Sequence, residues 1–77
     1  MKLIAKNGYV RGLIASLYGV EGPEVDEIIE RVGKLDTGRG YIEDLIEPNI
    51  PILWMLSNDG TITHMCRVHH KKEPPHQ

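Results

Sequence analysis

Pro23–Leu35, PEVDEIIERVGKL, is the stretch that fixes how the rest of the chain must pack. Its apolar residues Val25, Ile28, Ile29, Val32 and Leu35 recur at steps of three and four, one stripe along a 3.6-residue helix. Gly22-Pro23 opens that helix, because a first-turn proline leaves no N–H unpaired and its φ is already helical. Glu24, Asp26 and Glu27 suit the positive end of the helix dipole. On the outer face Glu27 precedes Arg31, and Glu30 precedes Lys34, by one helical turn, the favourable order for such pairs. One face therefore requires a core, and the other is strongly polar. Gly33 in the last turn predicts fraying or the close approach of another element.

Downstream, Asp36-Thr37-Gly38-Arg39-Gly40 reads as a turn, with Asp36 or Thr37 placed to cap a third, short helix. That helix is expected over Tyr41–Glu47, with Tyr41, Ile42, Leu45 and Ile46 on its buried side and Pro48 as its stop. Upstream, Asn7-Gly8 could be a two-residue hairpin turn. Val10, Leu13, Ile14 and Leu17 fall instead at helical spacing before Gly19. We favour a strand Lys2–Ala5, Asn7 as a cap and a helix Tyr9–Tyr18, although Gly12 inside it costs about 1 kcal/mol relative to Ala.

Ile50–His70 reads as a β-hairpin turning at Ser57-Asn58-Asp59-Gly60-Thr61, a type I turn followed by a left-handed glycine. With Ser57 opposite Thr61, Leu56 pairs with Ile62, Trp54 with His64, Ile52 with Cys66 and Ile50 with Val68 on one face. Met55, Thr63, Leu53, Met65, Pro51 and Arg67 take the other. A two-residue Asp59-Gly60 turn would set Arg67 against Ile52 and His69 against Ile50, so the first register segregates polarity better. Pro51 points to an edge or a strand start. The expected fold class is α+β: two or three short helices on a C-terminal antiparallel hairpin, joined by the N-terminal strand. Residues 1–68 form the domain, and 69–77, with nothing to bury, form a polar tail.

Seventy-seven residues permit one small core, and a composition of 40% hydrophobic and 26% charged residues is that of a globular chain, not a disordered one. A single cysteine excludes an internal disulfide and favours a reducing, cytoplasmic setting. Lys6 and Arg11 interrupt any leader-like apolar run, the uncharged stretches are too short to span a bilayer, and Met1 suggests a complete gene product. The net charge of −2 is segregated. Residues 1–20 carry Lys2, Lys6 and Arg11 and no acid, whereas residues 21–47 carry nine acids against Arg31, Lys34 and Arg39. That acidic block argues against a nucleic-acid footprint and for a basic partner.

Three constellations could carry chemistry. His64-x-Cys66-x2-His69-His70 has zinc-ligand character, but the second cysteine knuckle of a closed site is missing, and a buried thiol with a histidine stacked on Trp54 explains the pattern more simply. A Cys–His nucleophile pair lacks an evident oxyanion hole or cleft. No catalytic residue, metal or other cofactor is therefore expected. Thr37-Gly38-Arg39-Gly40 precedes a predicted helix start, where phosphate can bind, yet it lacks the lysine and spacing of a P-loop. It reads as a turn displaying Arg39.

The acids are best read as a solvated helix face that can also meet a partner. The expected function is a small non-enzymatic protein-binding module, an inhibitor or adaptor of the kind viral factors use against host nucleic-acid machinery. Its acidic helical surface would comprise Glu24, Asp26, Glu27, Glu30, Glu43, Asp44 and Glu47, with Arg39 as a further contact, against a basic protein. The alternative is a winged-helix DNA-binding transcriptional regulator using Arg39, Arg67, Lys71 and Lys72. Against it, the helices that would enter the groove are acidic. No membrane partner is expected.

Overall fold

In the computed structural model, residues 2–46 and 49–68 are described. Asn7, in extended backbone, accepts the Val10 amide on its Oδ1 at 3.2 Å and starts α1, Gly8–Tyr18. Asn7-Gly8 is thus a helix start and not a hairpin turn. Gly19, at φ +67°, ends the helix, and the Val20 amide reaches back to the Ala15 carbonyl at 3.1 Å. The expected strand before α1 is reduced to one parallel bridge between Ile4 and Thr61.

α2 spans Pro23–Gly33 and buries Val25 and Val32, with Ile28 and Ile29 half-buried. It ends two residues earlier than expected. The amides of Lys34, Leu35 and Asp36 bond the carbonyls three residues back, so the last turn tightens and Leu35 swings out to 46% exposure.

The helix expected over Tyr41–Glu47 is a strand, β1, Tyr41–Ile46; Glu47 lies outside the described residues. Alternation governs it: Ile42 and Asp44 are buried while Tyr41, Glu43 and Leu45 are exposed. β2 is Ile50–Leu56 and β3 is Ile62–Arg67, forming an antiparallel sheet in the order β1-β2-β3. The fold is α+β, with two helices on one face of this sheet.

The β2–β3 hairpin turns as expected: the Ser57 amide bonds the Thr61 carbonyl at 2.9 Å, Gly60 sits at φ +90°, and Leu56 opposes Ile62. A β-bulge then shifts the register by one residue. Met55 opposes His64, Trp54 opposes Met65, Leu53 opposes Cys66 and Ile52 opposes Arg67. Beyond the bulge the strands therefore hold the register of the rejected two-residue turn. Thr63 is the extra residue, and its hydroxyl bonds the Met55 carbonyl at 3.1 Å.

Trp54, Ile52, Ile42, Ile62 and Met65 from the strands meet Val10 and Ile14 of α1 and Val25 and Val32 of α2, with Leu3 closing the core. Burying Trp54 and Ile52 completely contributes about 2–3 kcal/mol per side chain by area alone. No helix among the described residues is long and apolar enough to cross a membrane.

Candidate interaction surface

The strand alternation sends the two acids of β1 in opposite directions. Asp44 is 4% exposed and lies under the helices. Arg31 of α2 bonds both its oxygens, Nη1 to Oδ1 and Nη2 to Oδ2, each at 3.0 Å. Tyr18, at the end of α1, donates its hydroxyl to Oδ2 at 2.7 Å and accepts the Trp54 indole N–H at 2.9 Å. Burial pushes the Asp44 carboxyl up, but Arg31 and Tyr18 outweigh it and hold the group below the usual carboxylate range. Burial, followed by the bond to Asp44, pushes the Tyr18 phenol well above its ordinary value. Every member is hydrogen-bonded, so the network fixes the docking of both helices on the sheet.

Glu43 points away from the helices. The register places Tyr41 beside Met55 and Met55 beside His64; Glu43 lies beside Leu53, and Leu53 beside Cys66. Leu45, 61% exposed, completes this lattice beside Pro51. Tyr41, Leu45 and Met55 are exposed, so large apolar side chains surround a carboxylate on a sheet face left open among the described residues. At one end Arg39, on the turn, donates to the Tyr41 hydroxyl at 3.1 Å and sits 5.8 Å from its ring centroid. At β3, His64 stacks on Tyr9 of α1, with centroids 6.4 Å apart and planes inclined by 15°.

The residues expected to form one acidic surface are therefore divided among three places. Glu24, Glu27 and Glu30 are exposed on α2. Asp26 pairs with Arg11 across the helices at 2.8 Å. Glu43 lies on the opposite side of the molecule, Asp44 is enclosed, and Glu47 is outside the described residues. The predicted Glu27–Arg31 and Glu30–Lys34 pairs do not form. Arg31 goes to Asp44, and the ion pairs among the described residues are Arg11–Asp26 and Arg31–Asp44. Glu27 and Glu30 thus stand exposed with no ion-pair partner among the described residues.

His64 and Cys66 do share a face, but it is the one with Met55 and Leu53; Trp54 lies on the other side, so its ring neighbour is Tyr18 and not His64. Among the described residues no three His, Cys, Asp or Glu side chains are gathered for a metal, and His69 and His70 lie outside them. Because Gly40 leads into a strand, Thr37-Gly38-Arg39-Gly40 has no helix N-terminus behind it; the Gly38 amide is bonded by Asp36 Oδ1 at 3.0 Å. No protein family, curated protein or solved structure gives a significant match to the chain.

Proposed function

We propose that this chain is a non-catalytic protein-binding module, an inhibitor or adaptor that docks a basic partner on the open face of its sheet. The observation that carries this is the lattice of Tyr41, Leu45 and Met55 around Glu43. A chain this small can bury Trp54 and Ile52 fully, so adjacent large apolar side chains left in water mark a surface with a use. Glu43 selects the occupant: an amphipathic segment with apolar side chains over Tyr41, Leu45 and Met55 and one lysine or arginine over the carboxylate. Glu24, Glu27 and Glu30 on the far side add a negative field that speeds encounter with such a partner.

The partner is to be isolated from the native host by affinity capture, and its affinity for variants measured by calorimetry. Leu45→Ser with Met55→Gln should weaken binding by at least about tenfold, since central apolar anchors dominate such interfaces. Glu27→Lys with Glu30→Lys should chiefly slow association and reduce its salt dependence. Undiminished affinity in the folded Leu45→Ser, Met55→Gln variant would remove the sheet face as the site. Salt-sensitive, sequence-selective binding of duplex DNA by the wild type would replace this function with a DNA-binding one.

A further inference from the structure

We propose that the groove between the N-terminal segment and α2 receives an extended acidic peptide as an added strand. The groove has a volume of about 720 Å³, within the range of sites that enclose a small ligand or a short run of chain. Its apolar lining is Leu3, Ala5, Ile29 and Gly33, and the Arg11–Asp26 pair lies along it.

Residues 2–6 alternate exposed, buried, exposed, half-buried, exposed, the period of a strand. Ile4 directs both its backbone groups at the β2–β3 hairpin: its N–H bonds the Gly60 carbonyl at 2.9 Å and its C=O accepts the Ile62 amide at 2.8 Å. In a pleated segment the neighbours of such a residue point their N–H and C=O the opposite way. Leu3 and Ala5, which line the groove while Ile4 does not, make no backbone hydrogen bond among the described residues. Leu3 is only 5% exposed, so its unpaired backbone groups are largely withdrawn from water. Buried backbone groups are almost always bonded, and a peptide running alongside would supply the missing donors and acceptors.

Charge selects the peptide. Arg11 and Asp26 neutralise each other, and the remaining charged lining is Lys2 and Lys34 against Glu30. Neither lysine has an ion-pair partner among the described residues. Two cations against one anion favour a ligand carrying aspartate or glutamate, with its alternate apolar side chains directed at Ile29 and Ala5. This surface is separate from the open sheet face and does not depend on the function proposed for it.

A displayed library of random short peptides, panned on the intact chain, should enrich alternating apolar and acidic residues. Titration of a selected peptide into isotopically labelled protein should shift the amide resonances of Leu3 and Ala5 most. Ala5→Pro deletes one donor on the free side at a position where an edge strand tolerates proline, and should weaken binding by about tenfold. Lys2→Glu with Lys34→Glu should also weaken it, less so at high salt. N-methylation of alternate amides in the peptide applies the same test to the unaltered protein and should abolish binding. No enrichment, resonance shifts centred on Met55 and Tyr41, or an affinity indifferent to N-methylation would each overturn the proposal.

Discussion

Glu43 and Asp44 are consecutive, differ by one methylene, and face opposite sides of the same sheet. Asp44 is enclosed by Arg31, Tyr18 and Trp54, directly or through one hydroxyl, and organises the covered face. Glu43 stands among Tyr41, Leu45 and Met55 and has no ion-pair partner among the described residues. The same functional group thus does structural work where water is excluded and remains available where it is not. What separates the roles is the two-residue period of β1, which no inventory of charge along the chain can express.

The sharpest way to break the comparison is to hollow out the covered face. Trp54→Ala should lower stability by about 3–5 kcal/mol in a denaturant titration, through the cavity and the loss of its bond to Tyr18. A loss below 1 kcal/mol would show that this face is not the core. Asp44→Ala should follow at about 3 kcal/mol, the lower end for a broken buried pair because Arg31 is itself 52% exposed.

The two ends of the pH scale test the same network. The depressed Asp44 pKa gives stability that is present above the ordinary carboxylate range and lost as pH falls through it, below about pH 4. The raised Tyr18 pKa gives stability that is present below the ordinary phenol value and lost as pH rises beyond about 10. Melting temperatures across pH should show Asp44→Asn flattening the acid limb and Tyr18→Phe flattening the alkaline one. The smallest effect is expected on the open side: Leu45→Ser and Met55→Gln should each change stability by no more than about 0.5 kcal/mol. A larger loss would mean that these side chains support the fold and are not free for a partner.

Features written in neighbouring residues were legible from sequence. Asn7 as a cap, the Val25–Val32 stripe, Pro23 at a helix start and the Ser57–Thr61 turn all depend on residues within a turn or two of one another. β1 was not legible, because Asp44 occupies an inward position and hides the alternation; only Arg31 and Tyr18, brought from other elements, make an acid acceptable there. The same long-range contact removed Arg31 from Glu27 and split the expected acidic surface. The hairpin register failed for a different reason. Both candidate pairings were right over part of their length, and Thr63, the residue that joins them, has no signature in a polar-apolar pattern. The groove beside Leu3 and Ala5 had no sequence signal beyond a short strand, since its open edge is defined by which side of Ile4 is already bonded.

The Asp44 network also bears on the order of events in folding. Its bonds join residues 13, 26 and 36 positions apart, spanning both helices and two strands. Closing all of them together requires α1 and α2 to have settled on a formed β1–β2 pair, so the complete network is expected on the native side of the barrier. The testable consequence is kinetic: Asp44→Asn should accelerate unfolding while leaving the refolding rate nearly unchanged. Stopped-flow chevrons would decide it, and a slowed folding limb with an unaltered unfolding limb would place the network in the nucleus instead. If it closes late, this cluster of four side chains acts as a latch that sets how long the native state persists, separately from how quickly it is reached.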